Sequence, residues 1–222
     1  MNVLQRYVRR VLTESAKGPN DLPDDVHVKI VEANDFIRAY YCDEDGQRFN
    51  RGDDVNGFVA AKLTPTEIAE EMKAYSVVLA RVSTGFKTSH GWGPMLYDVV
   101  MERLGMKGYG LAPDRNSVSP DAINVWDFYM NQRDDIEKKQ LDFRPDYDRH
   151  ETKTPNDDAD MQTNWWSLMS NDPGKRKAEQ EKYLKSSRSK AYYASGTPTI
   201  GALSVAGKLI TNNNSKDPWE DG

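Results

Sequence analysis

The chain has 222 residues, enough for one sizeable domain with an appendage, and 37% of them are hydrophobic, at a mean hydropathy of -0.80. A net charge of -5 argues against a protein that coats nucleic acid over its whole surface, and the single cysteine, Cys42, excludes an internal disulfide or a multi-cysteine zinc site. Three scattered histidines, His27, His90 and His150, give no metal site, and no apolar run approaches the ~18 residues that cross a membrane. The first residues hold arginines but no apolar core of a signal peptide, so cytosolic residence is the default expectation. So low an apolar fraction implies one well-packed part and another that is thinly packed or docked on a partner. Charge is also uneven: residues 174–190 carry seven Lys/Arg against two acids, while residues 131–160 carry ten acids against six bases.

In chain order, residues 2–16 read as a short amphipathic helix with Leu4, Val8 and Leu12 on its apolar face, stopped by Gly18-Pro19. It reads as a helix folded back on the core, as a docking helix for a partner, or as a membrane-surface helix with a small apolar face, and residues 1–18 are set apart as that segment. Alternation predicts strands over Val26–Glu32 and Phe36–Cys42, then a turn at Asp43-Glu44-Asp45-Gly46 with a return over Gln47–Asn50. A further strand is expected over Val55–Leu63. Its acidic neighbours lack the spacing of a calcium loop and read as solvated turn residues. Thr64-Pro65-Thr66-Glu67 has the form of a capping box and predicts a helix to about Ala74. The apolar run Tyr75–Val82 follows as a strand.

Next comes Ser89-His90-Gly91-Trp92-Gly93-Pro94, a glycine turn opening a helix that runs to about Leu104. The first amides of a helix lack intrahelical partners and sit at its positive end. Glycine lets a phosphate approach closely, and proline suits a position whose N–H would go unpaired anyway. The turn is therefore a candidate pyrophosphate cradle, although the same pattern also caps ordinary helices. Leu96, Val99, Val100, Arg103 and Leu104 form the face expected to pack on a sheet. Lys107–Ala112 reads as a short strand, and Ser119-Pro120 opens a helix over Asp121–Met130 that turns Ala122, Val125, Trp126 and Tyr129 inward. Strand, turn, helix, strand and helix in that order predict a mixed sheet with helices packed on it. From Asn131 to 163 the chain reads as acidic loop, with an apolar cluster at Trp165-Trp166. A basic helix and a strand near Ala191–Ala194 follow, then a short helix and an extended end within Thr197–Ile210, and a polar tail from Thr211.

The order around Ser-His-Gly-Trp-Gly-Pro-Met-Leu-Tyr-Asp, with the strand and helix from Gly108 to Tyr129, resembles the acetyl-CoA signature region of the GNAT acyltransferases. Over Gly91–Asp135 it is similar to GNAT-like proteins encoded by bacteriophages. The resemblance implies an α+β domain over 26–135 with a mixed, mostly antiparallel sheet and helices on both faces, and an irregular C-terminal extension over 136–222. It also implies acetyl-CoA as co-substrate, bound by Thr88, Ser89, His90, Gly91, Trp92 and Gly93. Thr88 stands where the family has Arg or Gln, and Trp126 stands in the slot of the family's general-acid tyrosine. Tyr129, one turn on, is the nearby phenol that could protonate a departing thiolate. Its competing reading is a core tyrosine with its hydroxyl bonded to backbone.

Two functions follow as expectations. One is an acyltransferase moving an acyl group from acyl-CoA to an amine acceptor of unspecified identity in a host cytoplasm. The other is a non-catalytic structural or interaction protein of a phage virion on the same fold, docked through Leu4, Val8 and Leu12 or through Trp165 and Trp166. A third expectation is that residues 174–190 bind nucleic acid, which requires steep salt dependence. No membrane partner is expected.

Overall fold

The computed structural model describes residues 16–33, 35–49, 55–63, 74–82, 91–114, 118, 120–140 and 171–212. Within them lie strands β1 (His27–Glu32), β2 (Phe36–Cys42), β3 (Gly57–Leu63), β4 (Ala74–Val82), β5 (Gly110–Ala112), β6 (Ile136–Gln140), β7 (Lys190–Ala194) and β8 (Leu209–Asn212). The helices are α1 (Gly93–Gly105), α2 (Pro120–Gln132), α3 (Pro173–Leu184) and α4 (Pro198–Val205). One sheet takes all eight strands in the order β6-β7-β5-β4-β3-β2-β1-β8. β1 to β4 form an antiparallel meander, β4 and β5 are parallel, β7 is antiparallel to both β5 and β6, and β8 is parallel to β1. The fold is therefore α+β, with a mixed and mostly antiparallel sheet.

Period-2 alternation places two apolar faces on this sheet. Val28, Ile30, Ile37, Ala39, Tyr41, Val59 and Ala61 join the main core, and α1, α2 and α4 all pack there through residues such as Leu96, Val100, Trp126 and Leu203. Each such fully buried aliphatic side chain contributes about 1.5–3 kcal/mol of transfer free energy. Val31, Tyr40, Cys42, Phe58 and Ala60 form a second cluster on the opposite face. The packed helices among the described residues share the first face.

β2 and β4 fall where the alternation predicts them, with β4 one residue longer, and α1 ends one residue beyond Leu104. Other elements differ. The return over Gln47–Asn50 shrinks to a single bridge between Cys42 and Arg48. Lys107–Ala112 yields only the three residues of β5, because Lys107 and Gly108 close the end of α1 by bonding to Leu104 and Gly105 carbonyls, with Gly108 at φ +76°. The helix read over Thr64–Ala74 lies outside the described residues except Ala74, which begins β4. The loop expected from Asn131 onward contains β6, a strand with one buried residue, Ile136, that exists through its five-residue pairing with β7.

That pairing overturns the expected boundary at residues 135 and 136. β7 lies between β5 and β6, and β8 closes the far edge against β1. The described part of 136–222 therefore completes the sheet of 26–135 and is not an irregular extension of it. Lys208 helps fasten this closure, its Nζ donating to the carbonyls of Leu22 and Pro23.

Candidate functional site

The strand directions locate the site. β4 and β5 are parallel, so α1, which joins them, begins at the end of the sheet where both strands finish. β5 and β6 also run alike, because β7 is antiparallel to each. α2, which joins β5 to β6, thus begins at that same end. The β4–β5 pairing covers only Ala74–Ser76 against Gly110–Ala112, while β4 runs on to Val82. β5 ends there while β4 runs on past it, and the carboxyl ends of parallel strands are where open α/β sheets take ligands. β4 also carries a bulge: Leu79 faces Ala60 and Val77 faces Ala61, leaving Val78 as the extra residue. Bulges of this kind bend a strand and release it from regular pairing.

The glycine turn sits at this end. Gly91 adopts φ +97°, a conformation that disfavours any side chain, and Trp92 opens α1 with no side-chain cap. No acidic residue stands in the first turn of α1. Two contacts fix the orientation of the peptide planes. The carbonyl of Gly91 accepts the Lys17 backbone N–H at 2.9 Å, and the carbonyl of Trp92 accepts the Tyr41 hydroxyl at 2.6 Å. In a trans peptide the N–H points opposite to its carbonyl, so the amides of Trp92 and Gly93 are turned away from Tyr41 and from the Lys17 backbone. The indole of Trp92 is buried and meets the Tyr41 ring edge-on at 5.9 Å, while the Lys17 ammonium stands 6.0 Å from the indole centre. Such a turn presents outward amides, a helix dipole and one nearby cation, which together suit a phosphate.

Of the expected cofactor-binding residues, Gly91, Trp92 and Gly93 are brought together here, while Thr88, Ser89 and His90 lie outside the described residues. Leu4, Val8, Leu12, Trp165 and Trp166 lie outside them as well. Asp114, half-buried, follows β5 at the same end of the sheet.

Of the two readings of Tyr129, the structure places it in the core. Its ring is fully buried, and its hydroxyl donates to Asp98 Oδ1 at 2.9 Å, with the Pro94 carbonyl at 3.3 Å. Burial and the adjacent Asp98 charge raise its pKa well above the ordinary phenol value, so it holds its proton firmly. Trp126 is equally buried, stacked on Tyr192 at 5.2 Å and edge-on to Tyr97 at 5.4 Å. Tyr129 therefore ties α2 to α1, and delivering a proton elsewhere would require breaking that tie.

Sequence reading missed the network around that phenol. Asp98 accepts from both Tyr129 and Arg133, whose guanidinium also reaches Asp135 at 2.8 Å. Burial pushes the Asp98 carboxyl up to about 6 against the pull of Arg133 and the two hydrogen bonds, while Arg133 holds Asp135 below its ordinary value. Arg133 lies 35 residues from Asp98 and Tyr41 lies 51 from Trp92, so no local pattern announces either contact. One signal was legible: Asp98 and Glu102 are four apart among the apolar residues of α1. Glu102 is 3% exposed, and its carboxylate receives the Thr199 and Ile200 amides, capping α4 from the side of α1.

No family model matches the chain, and neither characterised proteins nor solved structures include one similar to it.

Proposed function

We propose that the chain is an N-acyltransferase that takes an acyl group from acyl-CoA, with the CoA pyrophosphate at the Gly91–Gly93 turn. The observation that carries this reading is a glycine turn at the carboxyl end of the parallel pair β4 and β5, with its amides held outward by Tyr41 and Lys17. The succession of β4, glycine turn, α1, β5 and α2 supports the reading. Acyl-CoA supplies the activated thioester. The amides of Trp92 and Gly93 would bind its phosphates, and the carboxyl ends of β4 and β5 would orient the thioester for direct attack by an amine. Orientation of two reactants can supply about 7–11 kcal/mol of the barrier. The bulge at Val78 is the natural source of a backbone donor to the developing oxyanion. No proton is routed through Tyr129, because its hydroxyl is committed to Asp98.

Calorimetric titration of the full chain with acetyl-CoA tests the reading. Binding in the micromolar range is expected, weakened at least about tenfold by Gly93→Glu, which places a carboxylate against the phosphates. A melting curve of the variant checks that it folds. Absence of binding by the wild type at millimolar acetyl-CoA overturns the proposal.

The second reading, a non-catalytic structural or interaction protein, draws support from the same buried pair. Trp126 and Tyr129 occupy the positions where an acid would be sought, and both serve the core. It predicts stable incorporation into a larger assembly and no response to acyl-CoA.

A further inference from the structure

Helix α3 is constructed differently from α1 and α4. Every residue from Pro173 to Lys182 whose burial is described is exposed, and the helix holds to the body at its C-terminal end. There the Leu184 carbonyl accepts from Lys190 Nζ at 2.8 Å and from Ser189 Oγ at 3.1 Å, so α3 is fastened to the start of β7. Asp172 caps the other end, its Oδ1 accepting from the amides of Gly174 at 2.8 Å and Lys175 at 3.3 Å. Spacing supplies further helix support through the i,i+4 positions Lys175 and Glu179, Lys177 and Glu181, and Glu181 and Lys185. Among its described residues up to Lys182 the helix buries no side chain.

Its charge runs against the local rules. Lys175, Arg176 and Lys177 follow one another in the first turn, at the positive end of the helix dipole, where cations repel the dipole and each other. Lys182, Lys185, Arg188 and Lys190 continue the series, on a chain whose net charge is -5. Cations gathered at the positive end of a helix, on exposed positions, are expected where a partner uses them.

We propose that α3, with Lys185 and Arg188 behind it, is a docking surface for the phosphate backbone of nucleic acid. A protein partner is the poorer match, because protein interfaces are anchored by buried aromatic or aliphatic groups and are depleted in lysine. Phosphate contact needs only cations and polar donors, which is what the exposed positions of α3 offer. Position adds a further point. β7 is antiparallel to β5, so its first residue, Lys190, lies at the end of the sheet where β4 and β5 finish. A strand of nucleic acid on α3 is therefore brought to the same end of the molecule as the glycine turn. The inference stands on the charge and exposure of α3 and does not depend on acyl-CoA binding.

Fluorescence anisotropy with a labelled mixed-sequence DNA duplex of about 20 base pairs, and with a single-stranded RNA of equal length, tests it on the full chain. Binding at low salt is expected for at least one probe. The logarithm of affinity should fall against log salt with a slope of about -3 or steeper, as four or more phosphate contacts require. The triple change Lys175→Glu, Lys177→Glu and Lys185→Glu should cut affinity at least about tenfold, since it reverses three exposed charges. The reversal Lys62→Glu on β3, at an exposed site, should leave binding unchanged. Circular dichroism and melting confirm that each variant folds, and Lys175→Gln with Lys177→Gln gives a milder test of the same surface. No binding of either probe at low salt overturns the proposal. So does binding that the triple change leaves intact. Competition by polyglutamate as effective per charge as unlabelled DNA also overturns it, by identifying an acidic polypeptide as the occupant.

Discussion

Removing the Tyr129 hydroxyl leaves Asp98 paired with Arg133 alone in a buried setting. Tyr129→Phe is expected to cost about 1–3 kcal/mol in urea unfolding, the range for a hydrogen bond to a charged partner. Acetyl-CoA affinity should stay unchanged, because the phenol faces Asp98. The same carboxyl has a pH signature. Its folded-state value of about 6 lies above the ordinary carboxylate value, so the folded chain holds this proton more tightly than the unfolded one. The stability it contributes is present in full below the ordinary carboxylate value and is lost as pH rises toward 6. Arg133, Tyr129 and Glu102 are the charged or titratable groups that act on it, and Asp135, held low by Arg133, works in the opposite sense as pH falls. Unfolding free energies from pH 4 to 7 should show wild type losing up to about 3 kcal/mol relative to Asp98→Asn. A flat difference would mean that Arg133 already offsets the burial. Gly110 has a steric role: a Cβ there would lie 2.6 to 2.8 Å from the Tyr193 ring. Gly110→Ala is expected to cost about 1–3 kcal/mol, partly recovered when Tyr193 is also changed to a smaller residue.

Among the elements, the turn before α1 depends on a tyrosine in a distant strand. Tyr41→Phe removes the donor to the Trp92 carbonyl, so acetyl-CoA binding should weaken several-fold while the fold loses about 1 kcal/mol. Unchanged affinity would show that α1 sets the turn without help from β2. This contact also marks how far a sequence can be read. α1 and β2 announce themselves because glycine, proline and apolar periodicity act within a few residues. β6 does not, since Ile-Glu-Lys-Lys-Gln has no strand pattern and pairs only because β7 supplies a partner across a long insertion. The glycine turn was legible for the same local reason as α1. Tyr41, Lys17, Asp98 and Arg133 were not, because each acts on a residue far along the chain. Tyr129 was singled out correctly as inward-facing, but which buried oxygen it would meet depends on how α1 and α2 cross.

Across the whole molecule, the sheet joins segments that the sequence reading had separated. A fragment covering 26–135 lacks β7 and β8, which pair with β5 and β1. It should fail to give the cooperative melt of the full chain. Truncation after Gly207 tests the other edge, since it removes β8 together with the Lys208 contacts to Leu22 and Pro23. A marked fall in melting temperature is expected, because β1 then becomes an open edge.

The placement of β7 also dictates a schedule. Residues 136–140 leave the ribosome some fifty residues before the strand they must pair with, and the neighbour of β1 emerges later still. β1, β5 and β6 thus wait with unpaired edges until β7 and β8 have been made. Contacts of such long sequence separation slow folding and lengthen exposure to aggregation. Newly made chains should therefore depend on chaperones more than the stability of the finished protein would suggest, and recovery after dilution from denaturant should improve when protein concentration is kept low.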